Sequence, residues 1–161
     1  MNFRRFLLAF LVLGGAGLIL PDTLLAWTPG THVFLGQSIL HLATHLPAEV
    51  GGLISSFPYD FLYGTIAPDT SFAKKYAPID LHCHAWHVGQ EVRETARSDA
   101  LRAFGYGYLA HLAADTIAHN YFVPRQLMMT SSTRSFGHSY WESRAELPLG
   151  GDYARQATEL I

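Results

Sequence analysis

A stripe of polar side chains follows one face of a predicted helix in the second half of the chain. His111, Asp115 and His119 stand four residues apart within residues 103–122, AFGYGYLAHLAADTIAHNYF. In an α-helix this spacing turns each side chain only about 40° from the previous one, so the three share a face. A carboxylate between two imidazoles is a ligand set for a divalent metal ion. The sequence therefore predicts a metal site on this helix.

Further candidate ligands lie elsewhere in the chain. His138 and Glu142 are one turn apart on a predicted helix, and His32 lies in the first turn of another. The segment LHCHAWH adds three more histidines: His82, His84 and His87. Burying so many imidazoles and carboxylates in a small apolar domain is costly unless bound cations compensate. The absence of a thiolate requirement favours zinc, with manganese or iron as alternatives.

Composition limits the class of protein. The chain has 161 residues, 49% of them hydrophobic, which suits one domain with a core of its own. Its net charge is -2 and no basic patch is present, so the electrostatic footprint of a duplex-binding protein is missing. The single cysteine, Cys83, excludes an internal disulfide and an all-thiolate zinc site.

Residues 1–26 have the pattern of an export signal. Arg4 and Arg5 precede an apolar stretch that is too short for a membrane span of about 20 residues. Pro21 and Asp22 end that stretch, and cleavage after Ala26 makes Trp27 the mature N-terminus. The alternative is an uncleaved anchor, and both place the domain, residues 27–161, outside the cytoplasm.

The remaining pattern predicts an all-α, multi-helix bundle, because no stretch alternates like a strand. Thr31 is the predicted N-cap of a helix over residues 31–46, and residues 47–58 predict a short helix. Residues 59–72 are predicted as a loop, in which Asp69 either caps the next segment or serves as a placed acid or base.

Capping and helix-breaking residues set the predicted ends of the later helices. Ser98 can cap the central helix, and Pro124 is expected to end it. Gly105 and Gly107 lie inside this helix, where they permit the close approach of a neighbour. Residues 128–135 are predicted as a connecting loop, and Gly150 ends the part of the chain with an interpretable pattern.

In chain order these motifs resemble the zinc-dependent phospholipase C family. The resemblance is carried by the motifs THVFL, YGTIAPD, HCHAW, LAHLAADTIAH and GHSYWE. They follow Trp27, which cleavage of the leader would make the N-terminus. It implies an all-α bundle around three zinc ions and a mature N-terminal tryptophan that binds zinc through its backbone. It also implies that Asp69 is the catalytic residue, orienting or deprotonating the attacking water. His82 and His87 remain alternatives to His84 as the ligand.

The resemblance also implies which residues share each ion. One zinc takes His84, His111 and Asp115; a second takes His119, His138 and Glu142; the third takes Trp27, His32 and Asp115. His41, His45 and Cys83 match no family ligand and are expected in the core or on the surface. The chain ends 19 residues beyond Glu142, which suggests a trimmed or a truncated member of the family.

The function expected from this resemblance is an exported zinc-dependent phosphodiester hydrolase. It acts through a hydroxide held by the metals, on phospholipid head groups at a membrane surface. One alternative is a single-strand nuclease of the same fold, with aromatic platforms among Tyr59, Phe61, Tyr63 and Phe72. The other alternative is a non-catalytic envelope protein that zinc stabilises, which the short C-terminus favours.

Overall fold

The protein is all-α throughout the parts of the chain that its computed structural model describes, which are residues 27–70, 76–130 and 134–161. The α-helices are α1 Pro29–His41, α2 Ala48–Ser56, α3 Pro58–Gly64, α4 Trp86–Glu94, α5 Asp99–Ile117, α6 Val123–Thr130, α7 Arg134–Glu146 and α8 Gly151–Leu160. Residues 1–26, the predicted export signal, lie outside the described residues. Every helix in the described ranges is too short or too polar to span a lipid bilayer.

Helix α5 is the centre of the bundle and begins as the sequence predicts. The hydroxyl of Ser98 accepts a hydrogen bond from the amide of Leu101 at 3.2 Å, which caps the helix. Helices α3 and α4 pack on α5. A Cβ added at Gly107 would overlap the carbonyl of Phe61 in α3, and one at Gly64 would overlap the carbonyl of Phe104. The predicted close approach at the helix glycines is therefore confirmed, and it brings the end of α3 against the metal-site helix.

The first predicted helix begins earlier and ends sooner than the sequence suggested. Helix α1 starts at Pro29 with Thr28 at the N-cap, so the prediction of Thr31 as the cap is wrong. Proline suits a first helical position because the amide it lacks has no partner there. The helix ends at His41, and residues 43–45 form a separate 3-10 turn.

The predicted loop over residues 59–72 is largely helical. It contains most of α3 and a 3-10 turn, Ala67–Asp69, that ends at the candidate catalytic residue. Gly64 lies within this predicted loop and provides the contact with α5 described above. Residues 71–75 lie outside the described part of the chain.

The second half of the chain is also more helical than predicted. Pro124 does not end the helical run: α5 passes into a π-helical turn, Ala118–Phe122, and then into α6, with Pro124 as its second residue. The predicted loop over residues 128–135 is helical at both ends, because α6 reaches Thr130 and α7 begins at Arg134. The sequence pattern gave no helix after Gly150, yet α8 follows it directly.

Helix α8 packs on α1, which carries one of the candidate ligands. Its residues Ala157 and Leu160 form a core cluster with Val33 of α1 and with Ile66. A second cluster, around Ile54 and Phe61, fills the space between α2, α3 and α5. The apolar side of α1 is therefore covered by a helix that the sequence analysis missed.

Candidate metal centre

Asp115 lies at the centre of a buried group of polar side chains. It projects from α5, and its two carboxylate oxygens face different histidines. Its Oδ1 is 3.3 Å from Nε2 of His32 on α1. Its Oδ2 is 3.3 Å from Nε2 of His111, one turn earlier on α5, and 3.4 Å from Nε2 of His84. A carboxylate with this arrangement can bridge two cations, one at each oxygen.

His84 and Asp69 reach the same centre from segments outside the long helices. Oδ1 of Asp69 is 3.2 Å from Nε2 of His84, and its Oδ2 is 4.0 Å from Nε2 of His32. The Nε2 atoms of His84 and His111 are 3.2 Å apart. The side chain of Asp69 is only 4% exposed, so it is a buried member of the centre and not a surface helix cap.

A second group forms between the π-helical turn and α7. His119 belongs to the turn, while His138 and Glu142 are one turn apart on α7. Nε2 of His138 lies 2.7 Å from Oε1 of Glu142, and the rings of His119 and His138 stack with centroids 5.0 Å apart. One potential ligand atom from each of the three lies within 4.8 Å of the others. The three residues that the resemblance assigns to one zinc ion therefore share one place.

The proton on His111 is the clearest indication that a cation belongs here. Its Nδ1 is 2.8 Å from the backbone carbonyl of Thr65, which can only accept a hydrogen bond. A neutral His111 must therefore carry its proton on Nδ1, which leaves a lone pair on Nε2. That lone pair faces Oδ2 of Asp115 at 3.3 Å, and His111 itself is fully buried. Two acceptors facing each other repel unless a cation lies between them.

Other buried atoms of the centre also lack hydrogen-bond partners. They are Nε2 of His32, both carboxylate oxygens of Asp115 and Oε1 of Glu142. Such atoms are costly in a protein interior unless something other than a hydrogen bond satisfies them. Imidazole nitrogens and carboxylate oxygens are the ligands that zinc accepts. The residues present therefore fit the cation that the sequence predicts.

The charges of the two groups act on each other. Burial alone would raise the pKa of Asp115, but polar contacts with His111, His32 and His84 outweigh it and hold that pKa below its ordinary range. Burial, followed by the negative charges of Asp115 and Asp69, raises the pKa of Glu142 to about 8. Burial lowers the pKa of His32 and His119, although Asp115 opposes it. Both histidines are thus held in the neutral form that binds metal.

The raised pKa of Glu142 predicts how the metal-free protein responds to pH. A folded pKa of about 8 exceeds the ordinary 4.5, so the contribution of the protonated carboxyl is complete below pH 4.5 and is lost as pH rises to about 8. The full loss is at most about 5 kcal/mol, which solvent screening of the carboxylate reduces. Glutamine stays uncharged at every pH and avoids this loss. We therefore expect the metal-free Glu142→Gln variant to become more stable than the parent as pH rises from 6.5 to 9.

Denaturant unfolding in the presence of a chelator measures this difference. The comparison starts at pH 6.5 because His32 and His119, whose pKa values are lowered, destabilise the fold only as pH falls below that value. Exposed Glu159→Gln is the matched control and should follow the parent. Parallel pH profiles for Glu142→Gln and the parent would contradict the assignment.

The other predicted site residues lie at or beside the centre. The indole of Trp27 donates to the carbonyl of Ala114 at 3.0 Å and packs on Phe122, with ring centroids 4.9 Å apart. Trp27 thus rests on the turn of α5 that carries Asp115. Of the three clustered histidines, His84 is the one that approaches Asp69, Asp115 and His111.

The neighbouring histidines have other contacts. Nδ1 of His82 accepts a hydrogen bond from the amide of His84 at 3.2 Å, and Nε2 of His87 contacts the carbonyl of Asp80. His41 and His45 are exposed, as expected of residues outside the site.

Two residues beside the centre were missed in the sequence. Thr65 contributes a backbone carbonyl, and no residue-type pattern could have revealed that role. Cys83 was expected in the core or on the surface, but its sulfur is 3.3 Å from Nδ1 of His84. Its position between two histidines was the available signal.

Comparison with known proteins gives one match. A family model described as zinc dependent phospholipase C matches residues 31–157 of this chain. No curated protein and no solved structure matches it.

Proposed function

Because the chain belongs to the zinc-dependent phospholipase C family, we propose that it is an exported hydrolase of phospholipid head groups that uses three zinc ions. The observation that carries the proposal is the lone pair of His111 held against the carboxylate of Asp115, which calls for a cation between them. His84, His111 and Asp115 would hold one ion, and His119, His138 and Glu142 a second. The third would lie on His32, Asp115 and the backbone of Trp27.

Bound zinc would lower the pKa of a coordinated water and supply positive charge to stabilise a phosphate. The chain's own contribution begins with Asp69. Its carboxylate is buried beside His84 and lies outside the proposed ligand sets, and a carboxylate in this position can orient the attacking water and accept its proton. Asp115 and Glu142 supply the negative charge that holds the cations, and Thr65 fixes the tautomer of His111.

Exposed apolar side chains near His84 support contact with a lipid surface. Tyr76, Leu81 and Trp86 are 78%, 66% and 47% exposed and belong to the segment that leads into α4 and carries His84. Apolar and aromatic side chains exposed in this way are suited to the boundary between lipid head groups and acyl chains. We propose that this segment faces the membrane when a head group enters the site.

The nuclease alternative receives less support from the aromatic residues proposed for it. Phe61 is 2% exposed and belongs to the core, so it is not a platform for a base. Tyr63 packs against the core cluster of α1 and α8, and Phe72 lies outside the described residues. Tyr59 is exposed, but one ring is a weak basis for stacking successive bases.

The proposal is tested on protein exported and processed by a host, with its N-terminus identified and its zinc content measured. We expect Trp27 at the N-terminus, about three zinc ions per chain, and zinc-dependent release of phosphorylated head group from phosphatidylcholine. Vesicles should be hydrolysed faster than the same amount of a monomeric short-chain lipid if the exposed segment contacts the surface. Cleavage of single-stranded DNA without lipid hydrolysis would favour the nuclease. Full zinc content without turnover would favour the non-catalytic envelope protein.

A further inference from the structure

Cys83 lies on the far side of His84 from the metal centre. Its Sγ is 3.3 Å from Nδ1 of His84, whereas Nε2 of the same ring approaches Asp69 at 3.2 Å and Asp115 at 3.4 Å. The sulfur and the centre therefore contact opposite nitrogens of one imidazole. This position separates the sulfur from an ion that His84 would bind through Nε2.

The partners of Cys83 determine the direction of its contact with His84. Its Sγ is also 3.4 Å from the carbonyl oxygen of Pro68, which can only accept a hydrogen bond. The single thiol hydrogen must serve that carbonyl, so the sulfur acts as the acceptor towards Nδ1 of His84. A neutral His84 then carries its proton on Nδ1 and presents a bare Nε2 to the centre.

The same residue connects two segments of the site. Pro68 immediately precedes Asp69, so the thiol joins the turn that carries the candidate catalytic residue to the segment that carries His84. The hydroxyl of Tyr108 on α5 donates to the backbone carbonyl of Cys83 at 2.6 Å. Cys83 is thereby held against the helix that bears His111 and Asp115.

We propose that Cys83 is a positioning residue that fixes the tautomer and orientation of His84. The effect arises because both Asp69 and Asp115 would accept a proton from Nε2 of a metal-free His84, and a proton there blocks a cation. The sulfur at Nδ1 favours the other tautomer and so prepares the ring for metal. This inference rests on the metal role proposed for His84.

The direct test is the tautomer of His84 in metal-free protein, read from the side-chain nitrogen resonances of 15N-histidine-labelled samples. We expect the parent to carry the proton on Nδ1, and Cys83→Ala to shift His84 towards the Nε2-protonated form. Cys83→Ser should restore the parent tautomer, because a hydroxyl also accepts from Nδ1 and donates to a carbonyl. An Nε2-protonated His84 in the parent would overturn the proposal, whether or not Cys83→Ala folds.

Zinc affinity, measured by competition with a chelator, gives the second readout. We expect Cys83→Ala to weaken the binding of one ion about 10-fold or more, and Cys83→Ser to recover most of the loss. Unchanged affinity in Cys83→Ala, with His84→Ala weakened, would refute the role of Cys83 alone. Unchanged affinity in His84→Ala would instead refute the proposed ligand. A thiolate charge-transfer band in the cobalt-substituted parent would make Cys83 a ligand and overturn the positioning role.

Discussion

Asp69→Asn is expected to lower the rate of phosphodiester hydrolysis about 10²- to 10⁴-fold, the usual effect of removing a general base. An asparagine keeps the shape of the side chain but cannot take a proton from water. The zinc content should stay at the parent level, because Asp69 lies outside the three proposed ligand sets. Turnover of phosphatidylcholine and elemental analysis of the same sample measure the two quantities together.

Zinc content must be measured because the geometry also allows Asp69 to be a metal ligand. One of its carboxylate oxygens can share an ion with His84 and His111, since potential ligand atoms of the three lie within 4.8 Å. Loss of an ion from Asp69→Asn would make the aspartate a ligand. Asp80→Asn makes the same chemical change at an exposed position eleven residues later in the chain and should leave both quantities unchanged. Full activity of Asp69→Asn would exclude a catalytic role.

Asp115→Asn is expected to have the largest effect on metal content. Each oxygen of Asp115 faces histidines that would hold a different ion, so the variant should retain about one zinc per chain, that of the His119, His138 and Glu142 group. Removing this carboxylate from a buried set of charges that includes the proposed ions also costs roughly 3–5 kcal/mol of stability. Elemental analysis and denaturant unfolding measure the two effects.

Glu142→Gln provides the reciprocal comparison. It should lose the ion of its own group and retain the two that Asp115 is proposed to bridge. Asp152→Asn, an exposed position that pairs with Arg155, is the control for a neutralised aspartate. A full zinc complement in Asp115→Asn would contradict the bridging geometry. The loss of every ion in both variants would show that the two groups bind metal as one cooperative unit.

The sequence was informative where side-chain type and local spacing decide the structure. The pairs His111–Asp115 and His138–Glu142 were predicted on shared helix faces, and they are. The glycines of α5 were also predicted as contact positions. The pairs depend on residues within one helical turn, and the contacts depend on glycines that lack a Cβ. Both kinds of feature can be predicted from one amino-acid sequence.

The sequence was uninformative where tertiary packing decides the structure. Residues 59–64 contain aromatic residues and a terminal glycine, which local rules assign to a loop, but packing against α5 stabilises them as α3. Helix α8 begins with Gly151 directly after Gly150 and has few apolar residues, so local rules do not predict it, but it packs on α1. The carbonyl of Thr65 at His111 is a long-range backbone contact that residue types do not encode.

The π-helical turn after α5 has a consequence for how the chain tolerates change. His111 and Asp115 follow the pitch of an α-helix, whereas His119 lies where the helix is wound more widely, by the equivalent of one extra residue. Because of that wider turn, one continuous helical segment contacts two separate helices, α1 on one side and α7 on the other. Deleting a single residue between Ile117 and Val123 would let this turn close to α-helical pitch and leave the helix beyond it nearly in place, because the wide turn holds the extra residue. In a regular α-helix the same deletion would rotate everything beyond it by about 100°, so this stretch tolerates the loss of one residue better than the rest of the helix does.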